Sequence, residues 1–384
     1  MNGWKTIKRI DPTMLLTLLF ISVFSTIAIY STTINRTGME NMYMKEIVWQ
    51  VIAYSFMSLF IIFDYRIYKG MVPKIGYGVS LFLLILLFFF PASHGAHSWI
   101  SLSSGLQIQP SEFAKIFVIL TIADYMTKVK EKNQPFTLKH FLVITLINLF
   151  PFLLILKQPA LGQALTLLGI TGSMLVLFLS RKQLIYFLGG ILILITVIVL
   201  AKTIFFDQTI QFVNSLPFME HQKERIVTFL DPHVEELGTG YQLTQAQIAI
   251  GTGELFGKGI SQGTVTNDGW VPEQWTDFIF SAVGEQVGFV GSSILLFLFF
   301  ILLYRMISIA SETEDYFSTC FITGVVGMFM FQIIENVGMN LSLMPVAGIT
   351  LPFVSYGGSS LLTNFILVGI VLSMKYRSKK LNFE

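Results

Sequence analysis

The sequence changes character along Val271-Pro-Glu-Gln-Trp-Thr-Asp277-Phe-Ile-Phe280, where the longest polar interval of the chain meets one of its most apolar runs. Asp277 stands at that seam, which predicts a carboxylate near a membrane–water boundary. Ionisable groups at such a depth are costly, so Asp277 is a candidate functional residue. The alternative is that Thr276 and Asp277 only begin a helix, because both residue types suit a helix N-terminus.

The composition around this seam is that of a membrane protein. The 384 residues are 53% hydrophobic and 12% charged, with a mean hydropathy of +0.69. Soluble proteins carry about 25% charged residues, so the charge here is about half of that. No basic domain supports nucleic-acid binding. The single Cys320 excludes a disulfide framework and a thiol-ligated metal site within one chain. No cleavable signal peptide is indicated, because the first apolar run is long enough to span.

Ten apolar segments of membrane-spanning length predict ten transmembrane helices. They lie at 13–31, 47–63, 75–91, 111–126, 138–156, 161–180, 184–205, 278–304, 318–338 and 358–374. The expected fold class is therefore all-α. We expect a single integral membrane domain, 1–384, that contains a large loop, 206–277, between spans 7 and 8.

Most of the 25 Lys and Arg residues fall in alternate connections between these spans. They are Lys5, Lys8, Arg9, Arg66, Lys69, Lys74, Lys128, Lys130, Lys132, Lys139, Arg181, Lys182, Arg305, Lys375, Arg377, Lys379 and Lys380. The positive-inside rule predicts that these connections and both termini are cytoplasmic. The loop 206–277 is then extracellular.

Polar residues inside the apolar segments are further candidates. Glu112 and Lys115 are three residues apart, so they share a helix face and can neutralise each other at membrane depth. The same pair could instead line a polar cavity. Glu335 and Asn336 must face protein or water rather than lipid. Prolines and glycines interrupt the apolar stretch near 345–358, and non-helical backbone at that depth has to be buried in protein or line a cavity.

The loop 206–277 carries the densest polar chemistry. We expect a helix through 222–232, and Gln242 and Gln245 recur near one helical face. Five glycines between 251 and 263 then predict a flexible or closely approached segment around Lys258. A phosphate-binding cradle is one interpretation of these glycines. Their spacing matches neither a Walker nor a dinucleotide-binding pattern.

Four motifs together resemble the SEDS family of bacterial morphogenesis, division and sporulation proteins, and most of all its RodA branch. They are Gln109-Pro-Ser-Glu-Phe-Ala-Lys115, the stretch from Tyr241 to Thr264, Pro272-Glu…Thr-Asp-Phe-Ile-Phe280, and Leu351-Pro-Phe…Ser-Tyr-Gly-Gly-Ser-Ser360. The resemblance covers essentially the whole chain. It implies a ten-span fold.

The resemblance also implies a peptidoglycan glycosyltransferase of the bacterial cytoplasmic membrane, which polymerises lipid II outside the cell beside a class B penicillin-binding protein. The family's essential aspartate matches Asp277, which would act as general base in an inverting displacement. We expect positive charge for the leaving pyrophosphate from Arg225 and Lys258, with Mg²⁺ or Mn²⁺ as a candidate helper. No protein metal site and no organic cofactor is expected. The other candidate substrate-binding residues are Gln242, Gln245, Glu112, Lys115, Ser355 and Ser359.

Two positions depart from the family pattern. Trp275 stands where members often carry His before the Thr-Asp pair. Ala160 stands in the turn that is commonly Pro-Asp-Leu-Gly, so a carboxylate often seen there is missing.

Two other functions remain open on the sequence. A lipid II transporter is favoured by Glu112, Lys115, Glu335 and Asn336 together with the interrupted helix near 345–358. A non-catalytic scaffold for a penicillin-binding protein is the other. Against transport, the densest chemistry lies in one loop on one side of the membrane.

Overall fold

A computed structural model describes residues 11–90, 98–101, 107–215, 220–230 and 238–378. Before residue 206 its helices are α1 (Pro12–Thr33), α2 (Met42–Ile62), α3 (Met71–Leu86), α4 (Pro110–Glu131), α5 (Leu138–Lys157), α6 (Leu161–Val176) and α7 (Arg181–Thr203). The long loop contains α8 (Phe206–Ser215), α9 (Glu220–Leu230), α10 (Thr239–Thr252) and α11 (Thr264–Asn267). The chain continues with α12 (Ile279–Glu312), α13 (Tyr316–Asn340) and α14 (Gly358–Ser378).

Short elements complete the described structure. Tyr65–Tyr68 and Leu87–Phe89 form 3-10 turns. The two-residue strands β1 (Ile100–Ser101) and β2 (Gln107–Ile108) pair in antiparallel orientation. Such a small sheet beside long helices leaves the fold all-α, as predicted.

The ten predicted spans coincide one by one with α1–α7 and α12–α14. Within the described residues, eight helices are long and apolar enough to cross a membrane by length and composition. The other two are α6, which is apolar but has only 16 residues, and α4, which carries Glu112, Lys115 and Asp124 along its length. The polytopic membrane fold is therefore confirmed, and its number of spans lies between those eight and the predicted ten.

An ion cluster joins three helices at one end of the bundle. Asp11 caps α1 by accepting a hydrogen bond from the backbone nitrogen of Thr13 at 3.0 Å. The Asp11 carboxylate also accepts from the Arg305 side chain of α12 and the Lys375 ammonium of α14. The start of α1 and the end of α14 therefore lie on the same side, which we call the terminus end. Lys5, Lys8, Arg9, Lys379 and Lys380 lie outside the described residues.

The opposite end, which we call the loop end, carries the described part of the loop 206–277. Arg36 follows α1 and donates from Nη2 to the backbone oxygen of Val271 at 2.9 Å. The helix expected through 222–232 is confirmed as α9, while residues 231 and 232 lie outside the described part of the chain.

Burial divides the bundle into a centre and a periphery. Along α13 and α14 most side chains are buried, whereas α7 buries none of its residues. A helix that is apolar all round and exposed on every side faces lipid. Polar and small residues on α13 and α14 are consequently kept in the protein interior.

Helix α12 is broken near its beginning, at Gly288, where φ is 65° and ψ is −164°. Glycine adopts a positive φ without the steric penalty that a β-carbon brings. The break leaves backbone groups without helical partners, and the glycine-rich loop supplies them. The bonds run from Lys258 N to Glu285 O at 2.9 Å, Gly259 N to Gln286 O at 3.0 Å, Phe289 N to Glu254 O at 2.9 Å and Val290 N to Leu255 O at 3.0 Å.

The described residues thus contain two interruptions of apolar stretches, of which the sequence predicted one. Residues 341–357 are non-helical, as the prolines and glycines near 345–358 indicated. The break at Gly288 was not predicted, because glycines within an apolar run do not distinguish a broken helix from an intact one.

Candidate active site

The backbone around Asp277 is held from α13. Asp277 lies two residues before α12, and its backbone oxygen accepts hydrogen bonds from the side-chain amides of Asn336 at 2.8 Å and Asn340 at 3.2 Å. Asn336 also donates to the backbone oxygen of Ile349 at 2.7 Å. Both asparagines are fully buried, so these contacts are sheltered from water. They fix Asp277 relative to the segment 341–357.

That segment also holds the two residues before Asp277. Ser355 donates from its hydroxyl to the backbone oxygen of Thr276 at 2.6 Å, and the backbone nitrogen of Tyr356 donates to the oxygen of Trp275 at 2.9 Å. Residues 275–277 are therefore clamped between α13 and the stretch that precedes α14. Two motifs far apart in sequence form one rigid support.

The carboxylate of Asp277, unlike its backbone, is not held by hydrogen bonds from the described residues. None of the described residues donates a hydrogen bond to its carboxylate. A β-carbon placed on Gly348 would lie 3.5 Å from Oδ2 of Asp277 and 3.8 Å from both terminal nitrogens of Arg225. The carboxylate and the guanidinium therefore both lie next to Gly348, whose φ of +67° suits glycine.

Burial raises the pKa of the Asp277 carboxyl to about 6. The positive charge of Arg225 opposes that rise, and the negative charge of Glu273 adds to it. For Arg225, burial lowers the pKa of the guanidinium and Asp277 opposes the change. An arginine stays protonated at neutral pH regardless. The site thus holds a basic carboxylate next to a fixed cation.

Lys258, the other predicted pyrophosphate ligand, is already paired. Its ammonium donates to Glu285 at 2.8 Å and to the hydroxyl of Thr264 at 2.8 Å. The glycines beside it approach α12 closely, since a β-carbon on Gly253 would lie 2.0 Å from the backbone oxygen of Gly284. The close-approach interpretation of the glycines is confirmed. The role of Lys258 in binding substrate stays a prediction.

Glu112 and Lys115 form the predicted buried pair, with 2.9 Å between Lys115 Nζ and Glu112 Oε2 and neither side chain exposed. The structure adds Gln163 of α6, which accepts from Lys115 at 2.9 Å and donates to Glu112 at 2.8 Å. The mutual neutralisation is confirmed. Whether the pair also meets substrate stays a prediction.

The remaining candidates lie in supporting positions. Besides holding Thr276, the Ser355 hydroxyl accepts from the backbone nitrogen of Leu351 at 2.8 Å. The Ser359 hydroxyl accepts from the backbone nitrogen of Gln109 at 3.2 Å, which ties α14 to the start of α4. Gln242 and Gln245 are half-buried on α10. For these four residues, substrate binding stays a prediction.

Sequence reasoning gave no site role to Arg36, Asn340 or Gly348. The guanidinium carbon of Arg36 lies 4.9 Å from the centroid of the Trp275 ring. Its second contact, with Val271, shows that it fastens the segment before Asp277. The signal that could have found Asn340 is its spacing of four from Asn336, which puts both amides on one helix face.

The two departures from the family pattern have structural counterparts. Ala160 is the N-cap of α6, and as an alanine it offers no side-chain hydrogen bond to the helix. Trp275 is buried beneath Arg36. An indole there packs against a cation, whereas it cannot serve as the acid or base that a histidine could provide.

Comparison with known proteins gives the same family. The profile of the "Cell cycle protein" family of FtsW, RodA and SpoVE matches residues 10–380. The chain therefore belongs to this family.

Two proteins similar to this chain are both named peptidoglycan glycosyltransferases. The chain is 33% identical to the peptidoglycan glycosyltransferase RodA of Treponema pallidum, over 96% of this chain and 98% of that protein. It is 34% identical to the peptidoglycan glycosyltransferase MrdB of Escherichia coli K12, over 97% of this chain and 95% of that protein. A solved structure titled "Structural coordination of polymerization and crosslinking by a peptidoglycan synthase complex" shares 26% identity at a TM-score of 0.77, covering 97% of this chain and 99% of that one. The predicted family, fold and enzyme class are confirmed.

Proposed function

We propose that this chain polymerises lipid II into β-1,4-linked glycan, with Asp277 as the general base. The observation that carries the proposal is the Asp277 carboxylate, whose backbone is clamped on two sides while its oxygens receive no hydrogen bond from the described residues. A carboxylate with a purely structural role would be expected to accept hydrogen bonds from the protein. The names of the relatives support the reaction class.

The proposed reaction is one in-line displacement. Asp277 takes the proton from the 4-hydroxyl of the acceptor sugar, and that oxygen bonds to C1 of the donor sugar. The bond between C1 and the pyrophosphate oxygen breaks, and the lipid pyrophosphate leaves with the electron pair. Because the donor is α-linked and the product β-linked, a single inversion suffices. A pKa of about 6 keeps Asp277 ionised at neutral pH and more basic than an ordinary aspartate.

Arg225 is the proposed electrostatic partner of the leaving group. Its guanidinium lies near the base, next to the same Gly348, and charge that develops on a pyrophosphate is stabilised by a fixed cation. A divalent cation is a further part of the proposal. Among the described residues, no cluster of three or more His, Cys, Asp or Glu side chains could hold one. Mg²⁺ is often bound largely by substrate phosphates and water, so the pyrophosphate itself would supply most of its ligands. The ion would add positive charge at the pyrophosphate.

The proposed setting is the bacterial cytoplasmic membrane, with the terminus end in the cytoplasm and the loop end outside. The basic residues of alternate connections support this orientation. We further propose that a class B penicillin-binding protein works beside this chain. The similarity to a chain from a complex described as coordinating polymerisation and crosslinking supports this partnership.

The test is a polymerisation assay with purified protein and lipid II, with and without a class B penicillin-binding protein and Mg²⁺, in which glycan length is read on a gel. We expect polymer from the parent and from Glu273→Gln, and none from Asp277→Asn. Polymer from Asp277→Asn at the parent's rate would contradict the assignment of the base. Movement of labelled lipid II across sealed vesicles without polymer would favour a transporter instead.

A further inference from the structure

The segment 254–260, which we call the loop tip, is an apolar element of the long loop that the proposed reaction does not use. We propose that the loop tip is inserted into the lipid leaflet at the loop end, where acyl chains surround Leu255 and Phe256. The ligand of this surface is the hydrocarbon of the bilayer. The inference does not depend on the proposed function.

The depth of the loop tip follows from its pairing with α12. The backbone oxygens of Glu254 and Leu255 accept hydrogen bonds from Phe289 and Val290 at 2.9 and 3.0 Å. From Phe289 the helix runs without a further break to Arg305, which binds Asp11 at the terminus end. Those sixteen steps span about 24 Å at 1.5 Å per residue. With the charged Arg305–Asp11 cluster taken as the opposite edge of a hydrocarbon layer about 30 Å thick, the loop tip lies inside that layer, near its edge.

The side chains of the loop tip suit that depth. Phe256 is 78% exposed, Leu255 60% and Ile260 50%. Beside them on α12 lies Phe289, 68% exposed, and the same helix continues with exposed aromatic side chains. The apolar surface of the loop tip is therefore continuous with the lipid-facing surface of a membrane span. This continuity points to lipid as its occupant.

The backbone of the loop tip also meets the requirement that hydrocarbon imposes. Non-helical backbone is tolerated at membrane depth only when its polar groups find partners in protein. Here Lys258 and Gly259 donate to backbone oxygens of α12, and Gly257 donates to Gly253 at 2.7 Å. A β-carbon on Gly257 would lie 2.1 Å from the backbone oxygen of Gln286, so only glycine permits this approach.

Charges limit the insertion to the outermost layer of the hydrocarbon. The Lys258 ammonium is neutralised by the buried Glu285 at 2.8 Å. Glu254 is exposed, and its carboxylate has to extend into the headgroup region, as long charged side chains near a membrane edge do. The loop tip therefore anchors the long loop at the boundary without crossing the leaflet.

Spin-label depth measurements test this placement. The buried Cys320 is first replaced by alanine, and Phe256→Cys and Leu255→Cys are labelled separately in the full-length protein. Each is reconstituted into vesicles of phosphatidylethanolamine and phosphatidylglycerol. Collision with oxygen, which concentrates in hydrocarbon, is compared with collision with a water-soluble nickel chelate. Phe297→Cys, on the exposed face of α12, is the lipid control, and Trp270→Cys, exposed in the long loop, is the water control.

We expect the ratio of oxygen to nickel collisions at both tip labels to resemble that at Phe297 and to exceed that at Trp270 several-fold. A ratio at both positions equal to that of Trp270 would place the loop tip in water and overturn the proposal. Exclusion of both reagents would show that protein covers the loop tip, which would overturn it as well. Two tip positions guard against a label that disturbs one site.

Discussion

Asp277 and Glu285 lie eight residues apart, close to the junction of the long loop and α12. Their carboxylates have opposite environments. Glu285 is fully buried, and its oxygens accept from the backbone nitrogens of Val265 and Thr266, both at 2.9 Å, and from the Lys258 ammonium. Asp277 has its backbone held and its carboxylate left unbonded by the described residues. Counting hydrogen bonds thus separates a carboxylate that fastens a loop from one that is available for chemistry.

The largest expected effect is on catalysis, from Asp277→Asn. Loss of a general base lowers rates by about 10²- to 10⁴-fold, so polymerisation should fall by at least about 100-fold. Stability should not fall with it. Burial opposes ionisation of this group in the folded state, so removing the charge should leave the melting temperature at neutral pH unchanged or higher. A large drop in melting temperature would show that Asp277 is structural, like Glu285.

The opposite pattern is expected from Glu285→Gln. The NH2 group of the glutamine would lie against backbone N–H groups, and two donors cannot form a hydrogen bond with each other. Lys258 would also lose its counter-charge. We expect a loss of about 2 kcal/mol in unfolding free energy, measured by thermal or denaturant melting in detergent. Glu254→Gln is the matched control, because that carboxylate lies in the loop that Glu285 fastens but is exposed. Equal melting of the two variants would refute the fastening role of Glu285.

A third measurement concerns the acidity of Asp277. Since the base acts in its ionised form, the rate should fall as pH drops through about 6. Arg225 holds the pKa of Asp277 down, so Arg225→Gln should move this acidic limb to higher pH as well as slow the reaction. The control is Lys223→Gln on the same helix. An unshifted pH profile in Arg225→Gln would separate the guanidinium from the base.

A smaller effect is expected from Asn340→Ala, which removes one of two amides that hold the backbone of Asp277. Misplacement of a catalytic group by a fraction of an ångström lowers its efficiency, and we expect about a tenfold slower polymerisation. The acidic limb of the pH profile should keep its position, because no charge changes. A rate equal to that of the parent would show that Asn336 suffices.

The smallest change concerns the helix cap at Ala160. Aspartate is a favourable N-cap residue, and alanine is a poor one. Ala160→Asp should therefore raise the unfolding free energy by about 1 kcal/mol, visible in the same melting experiment. A decrease would mean that the local backbone does not allow the cap.

Much of the architecture could be predicted from composition and local pattern. Apolar length located the ten helices, because a segment that crosses hydrocarbon has to satisfy its own backbone. The spacing of Glu112 and Lys115 predicted their ion pair, since helical geometry alone brings such residues together. Asp277 was identified for a similar reason, because a charged residue at the edge of an apolar run can be recognised in the sequence alone.

Only the tertiary structure decided what surrounds these residues. Arg225 and Lys258 are equally basic in the sequence, yet Arg225 lies beside Asp277 at Gly348 and Lys258 is paired with Glu285. At the break at Gly288, a loop segment that lies 27 to 35 residues earlier in the chain supplies the missing hydrogen bonds. Such partners are set by the packing of distant segments. Local pattern therefore determined which groups are present and at what depth, and packing determined which of them remain available for chemistry.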